Sequence, residues 1–332
     1  MGGLVKGFVE PIAKRWSAAM GGPLLLFWLA GTLIVLWRRG GGTHPCRVPE
    51  PWAGVSCGIA AQQPVGPIVL SAAALALVVV SAWAASASAP FVLEVLAGRW
   101  GTSRPALAHT RRRIVRHRAW RAALAGHSVP PSGLTGDALD AWQVQSGWRG
   151  ARRRAATARY PRPRDPEPLL PTALGNALIS VPAEIRRKYG LELSVCWDPF
   201  VKALDAPDRE DLTAAATRVF ARVQALMCAV ATTLWAVLLP GWWPRLLWIA
   251  VCGLFVWAAH RALRAGVDAY CLHVGDIFAV RRVRLYRALG IAPPASSAQE
   301  VPSGEILSAT LSLSLSTLPN GPTSIPYDWS AA

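Results

Sequence analysis

Serine, cysteine, histidine and arginine are the residue types from which this chain could build chemistry, and spacing decides among them. The string GVSCG, Gly54 to Gly58, has the spacing of a nucleophile elbow, which needs a strand before its serine and a helix after it. Ser56 has neither, so the string reads as loop. Cys271 and His273 are close enough to share a metal, but no further ligand stands where it would complete a tetrahedral set. His273 and Asp276, three apart on a helical stretch, could pass a proton, although a solvated helix face explains them equally well. No P-loop, no dinucleotide GxGxxG after a strand and no HExxH helix occurs. No catalytic, cofactor or metal residue is therefore assigned, and the chain reads as non-enzymatic.

Arginine gives the stronger pattern. One cluster comprises Arg104, Arg111, Arg112, Arg113, Arg116, Arg118 and Arg121, with His109 and His117. A second, after a Pro/Gly/Ser linker at 126–136, comprises Arg149, Arg152, Arg153, Arg154, Arg159, Arg162 and Arg164. Between residues 99 and 164 only Asp137 and Asp140 are acidic. Such clusters can hold anionic lipid headgroups or nucleic acid through many weak charge contacts, with Arg111, Arg112, Arg113, Arg116, Arg118, Arg152, Arg153 and Arg154 as the candidate contacts. Trp120, Trp142 and Trp148 could stack on single-stranded bases or anchor at a headgroup layer. Positive charge that only fixes membrane topology is the plainer alternative.

The elements that must carry these residues are set by hydropathy. The chain has 332 residues, of which 52% are hydrophobic, and a net charge of +16. Its mean hydropathy is +0.30 and its pI about 10.7. The apolar residues gather into four runs of spanning length. The runs are 21–37, 66–89, 220–239 and 244–260. The first follows Lys6, Lys14 and Arg15 and ends in Arg38 and Arg39 without a small-residue cleavage site, as an uncleaved anchor would. The last two are joined by Pro240-Gly241 and flanked by Trp242, Trp243 and Pro244, the pattern of a tight transmembrane hairpin with its apex at one membrane face. The spans hold no ionisable group near a midplane, so a transporter or channel subunit, possible for a helical bundle, has no motif behind it. Gln224, Cys228, Thr232, Thr233 and Cys252 are polar enough to hydrogen-bond between helices.

Topology follows from the basic residues. Lys6, Lys14, Arg15, Arg99, Arg104, Arg209, Arg218, Arg222, Arg261 and Arg264 lie on one side, against Arg38, Arg39, Arg47 and Arg245 on the other. Because translocating Lys and Arg is disfavoured, both termini are expected in the cytoplasm. The loop 38–65 is then external. Cys46 and Cys57 lie in it, where a disulfide could persist, closing a loop worth ~3 kcal/mol in the chain-entropy picture.

The remaining segments complete an expected all-α membrane protein of the plasma membrane. Residues 1–20 form a cytoplasmic amphipathic N-terminus, 90–219 a basic and mostly helical cytoplasmic segment, 240–243 an external turn, 261–290 a cytoplasmic amphipathic helix on the inner leaflet, and 291–332 a disordered tail. Within the basic segment Leu174, Ala177, Leu178, Val181 and Ile185 recur at helical intervals up to Gly190. Leu191, Leu193, Val195 and Trp197 then alternate like a half-buried strand, giving a small helix-turn-strand element. The expected partners are the bilayer, its anionic phospholipid in particular, with a protein partner, a second copy of the chain or nucleic acid as alternatives.

The stretches LPTALGNALISVPAEIRRKYGLELSVCW and AYCLHVGDIFAVRRVRLYRALGIAPP together resemble an uncharacterised family of multi-pass membrane proteins from high-GC actinobacteria. The resemblance covers about a quarter of the chain. It departs at Ile179 to Pro182, where a more polar helical stretch is expected. It implies a multi-pass membrane fold and no activity, so it assigns no site residue.

Overall fold

Every regular element among the described residues is a helix. The computed structural model describes residues 21–38, 65–100, 103–125, 135–142 and 169–312. The helices are α1 (Gly21–Arg38), α2 (Val65–Leu96), α3 (Arg104–Ala125), α4 (Ala173–Tyr189), α5 (Leu193–Ala203), α6 (Ala206–Thr232), α7 (Trp242–Ala288) and α8 (Ser297–Leu311). A 3-10 segment, Thr233–Leu238, continues α6. The described residues divide into two units, one comprising those of Phe91–Ala216 and of 264–312, the other those of 21–90 and Thr217–Leu263.

The unit containing Thr217–Leu263 is apolar on its outside. Three helices are long and apolar enough to cross a membrane: Ser71–Leu96 within α2, Ala206–Leu238 and Trp242–Ala288. The apolar stretch Pro23–Val35 of α1 is shorter. Leu75, Val79, Val80 and Trp83 on α2 and Leu247, Leu254, Phe255 and Trp257 on α7 are exposed. A helix apolar on all sides, with its large side chains turned outward, suits lipid as its solvent.

Inside this unit the helices meet through small residues and indole rings. Gly31 of α1 faces Trp235 so closely that an added Cβ would overlap the ring. Phe27 and Trp28 flank the same indole, with ring centroids 5.2 and 6.1 Å away. Trp28 Nε1 donates to Ser81 Oγ of α2 at 3.1 Å. The threonine hydroxyls do not link helices: Thr232 and Thr233 donate to Cys228 O and Val230 O of their own helix. Indole takes over that role. The switch to 3-10 geometry leaves the Thr232 carbonyl without its usual α-helical partner, and Trp248 Nε1 of α7 donates to it at 3.0 Å. The turn into α7 uses Gly241 at φ +79°, a left-handed conformation that glycine adopts without a Cβ penalty.

The other unit has a core formed by α4, α5, α8 and the C-terminal part of α7. Ile185, Leu191, Leu193, Cys196, Trp197, Phe200, Val274, Phe278, Leu285, Tyr286 and Leu307 are buried together in it. Phe200 and Phe278 pack with their rings tilted and centroids 4.6 Å apart, and each full burial is worth ~1.5–3 kcal/mol. Thr172 caps α4 by accepting from Gly175 N at 3.0 Å, and Gly190 ends it at φ +69°. Asn176 is fully buried and fully satisfied: Oδ1 accepts from Leu170 N, and Nδ2 donates to Leu170 O and Thr172 O.

Three expectations are corrected here. Residues 193–203 are helix α5 and not a strand, because Leu193, Cys196, Trp197 and Phe200 bury one face at i, i+3, i+4 and i+7, a pattern that a short apolar alternation can mask. Residues 297–311 are the ordered helix α8 and not disordered tail, with Leu307, Ser308 and Ala309 buried; residues 313–332 lie outside the described part. The amphipathic stretch after the fourth apolar run is continuous with it in the 47-residue α7, and its apolar face is occupied by the protein core, through Val274, Phe278 and Tyr286.

Candidate anion-binding helix

Helix α3 carries the first arginine cluster in a definite arrangement. Ala106, Thr110, Ile114 and His117, at i, i+4, i+8 and i+11, form a half-buried stripe. A ring nitrogen of His117, Nε2, lies 3.1 Å from Pro171 O, which ties the stripe to the start of α4. At its beginning, Trp100 donates Nε1 to Val95 O at 2.8 Å and packs against the His109 ring with centroids 5.0 Å apart. The rest of the surface is open: Arg111, Arg112, Arg113, Arg116 and Arg118 are all exposed.

Among the described residues no carboxylate pairs with any of those five guanidinium groups. Arg112 and Arg116 stand at i, i+4, and Arg113 and Arg116 at i, i+3. Like charges at those spacings destabilise a helix by ~0.2–0.5 kcal/mol each. A phosphate or carboxylate would relieve that repulsion and could be held by two parallel N–H donors of one guanidinium. The helix can bind an anion; it holds no nucleophile or acid-base pair.

Other arginines are engaged. Arg281 Nε lies 2.7 Å from Asp208 Oδ2, Arg284 pairs with Asp205, and Arg282 pairs with Glu300 while lying over the Tyr189 ring, 4.6 Å from its centroid. The hydrogen bond and charge of Arg284 hold the Asp205 carboxyl below its usual range. Burial alone would raise Glu184, but hydrogen bonds from Arg187 and Lys188 outweigh it and hold that carboxyl low as well.

The remaining candidates scatter. Arg152, Arg153, Arg154, Cys46, Cys57 and Ser56 lie outside the described residues. Cys271 donates its thiol to Ala177 O at 3.5 Å. His273 has a buried Nε2 with no hydrogen-bond partner, while Asp276 is exposed, so the two do not form a relay. Among the described residues no three His, Cys, Asp or Glu side chains converge on a metal position. Burial pushes the Cys196 thiol up to about 11, against the hydrogen bond with Ser308, which leaves it a poor nucleophile at neutral pH.

What the cluster reading missed is apolar. Leu107 and Val115 are exposed on the same helix, 43% and 61%, and stand in one row with Arg104, Arg111 and Arg118. Their spacing of three and four was visible in the sequence, but the density of charge around them hid it. The chain matches no protein-family model, no curated protein and no solved structure.

Proposed function

We propose that this is a non-enzymatic plasma-membrane protein with four spans and both termini in the cytoplasm, whose helix α3 holds an anionic partner. The observation that carries the reading is a row of exposed guanidinium groups without carboxylate partners among the described residues, on a helix whose opposite face is half-buried and tied to Pro171 through His117. The spans are 21–37, 66–89, 220–239 and 244–260. The first is supported by the seating of Trp235 against Gly31, which makes α1 part of the same apolar unit as the longer helices. The fourth is supported by its ends. Trp242 and Trp243 are exposed and stacked at one, and Arg261 lies over Trp257, 5.3 Å from its centroid, at the other. Some 18 residues of helix separate those belts, about 27 Å, which matches the hydrocarbon thickness of a bilayer. The excess of Lys and Arg on the side of residues 1–20, 90–219 and 261–332 supports the orientation.

The test is thiol accessibility in intact cells, in a background lacking the native cysteines. Trp243→Cys should react with a membrane-impermeant reagent, and Ser103→Cys, exposed at the start of α3, only after permeabilisation. The opposite pattern would put α3 outside the cell and overturn the reading. Loss of the full-length chain from membranes on washing with high salt would overturn the spans themselves.

A further inference from the structure

The anionic partner of α3 can be named from its surface, an inference that rests on the preceding reading and narrows it. We propose that α3 lies on a bilayer surface rich in anionic phospholipid, with Leu107 and Val115 entering the headgroup layer and Arg111 and Arg118 holding phosphates.

Charge alone suits lipid and nucleic acid equally; the apolar residues do not. Leu107 and Val115 stand on the arginine row at positions 104, 107, 111, 115 and 118, a single helix face, and both are exposed. Aliphatic side chains offer no π face on which a base could stack, whereas burial beside headgroups removes their apolar area from water. Their long neighbours suit the same layer, since an arginine stem follows apolar surface while its head reaches phosphate. The opposite stripe of Ala106, Thr110, Ile114 and His117 is half-buried, with His117 held at Pro171 O, so the arginine-aliphatic face is the one open to a partner.

The chain also brings this face to the membrane. Helix α2, one of the three long apolar helices, ends at Leu96, and α3 begins at Arg104. The eight residue steps from Leu96 to Arg104 reach at most about 28 Å when extended, so α3 cannot leave the neighbourhood of the α2 end. A headgroup layer is therefore at high effective concentration, and a handful of weak contacts suffices.

The full-length chain would be reconstituted in vesicles of phosphatidylcholine alone or of phosphatidylcholine with phosphatidylserine, and amide exchange of α3 followed in each. Slower exchange over 104–118 with phosphatidylserine, reversed by salt, is expected. The Arg111→Gln/Arg118→Gln variant should lower the docked-to-free ratio roughly 30-fold, at ~1 kcal/mol per arginine, with Arg112→Gln/Arg113→Gln well short of that. A Val115→Cys nitroxide should be shielded from aqueous quenchers only with phosphatidylserine. Equal exchange in both vesicles would overturn the lipid assignment. A thymidine oligonucleotide added to the protein in micelles separates the two claims: protection by the oligonucleotide but not by phosphatidylserine would leave an anion-binding helix and replace lipid by nucleic acid, and protection by neither would remove both.

Discussion

Two helices of this chain use arginine in opposite ways. On α3 five guanidinium groups stand exposed with no carboxylate among the described residues, and like charges sit one turn apart. On the C-terminal part of α7, Arg281, Arg282 and Arg284 each meet an acidic residue from α8 or from the start of α6, and Arg282 also covers Tyr189. The residue type is the same, but the α7 arginines hold their own fold together while the α3 arginines have no carboxylate partner among the described residues. What distinguishes them is the neighbourhood: acidic residues are plentiful between 184 and 211 and nearly absent between 99 and 164.

That contrast can be broken most severely at the glycine on which α8 sits. A Cβ at Gly304 would collide with the Tyr189 carbonyl and the Gly190 backbone. Gly304→Val should cost about 4 kcal/mol or more in thermal unfolding in micelles, whereas Ala108→Val on α3 should stay within about 0.5 kcal/mol. A comparable loss at both sites would show that α3 is as deeply built in as α8. Next, Phe278→Ala should cost about 3–5 kcal/mol through the cavity it leaves, and Val115→Ala almost nothing.

Charge substitutions sharpen the comparison further. Arg282→Ala removes a partly buried ion pair and a cation–π contact and should cost about 1–2 kcal/mol. Arg112→Ala should be neutral, or stabilising by about 0.3 kcal/mol, because it relieves repulsion with Arg116. The smallest effect is that of pH. The Glu184 and Asp205 carboxyls are depressed in the folded chain, so their contribution is present above the unfolded values near pH 4 and is lost as pH falls through the lower folded values. Amide exchange around 184–189 and 205–209 should therefore quicken below about pH 4, with no matching step in α3. A step in α3 at that pH would reveal a carboxylate partner there.

The long apolar helices were legible because lipid solvation imposes a coarse rule of length and composition, and α2 and the α6–α7 hairpin obey it. The stop of α4 was legible for a local reason, since Gly190 fits a left-handed C-cap, whereas its N-cap, Thr172, was not read. The strand expected at 191–197 failed because four apolar residues in alternation fit both periods, and only the tertiary burial of Cys196 and Phe200 decides for a helix. Helix α8 was hidden more completely. Its sequence mixes Ser, Pro and Gly, poor helix formers that look like linker, and its order comes from partners more than a hundred residues away. On α3 the arginines could be counted from sequence, but which were already paired is a property of packing.

Ser308 shows what this arrangement asks of assembly. Its hydroxyl accepts from Glu192 N at a sequence separation of 116 residues and donates to Gly304 O, at the place where α8 lies against the end of α4. Contacts so far apart form late, after the loop entropy between them has been overcome. During synthesis α4 and α5 leave the ribosome well before the hairpin of apolar helices, and α8 only after it. Until the final stretch arrives, Leu191, Cys196, Trp197 and Phe200 lack part of their cover and are open to wrong partners. A chain truncated before residue 297 would keep every apolar run and still be handled by the cell as unfinished.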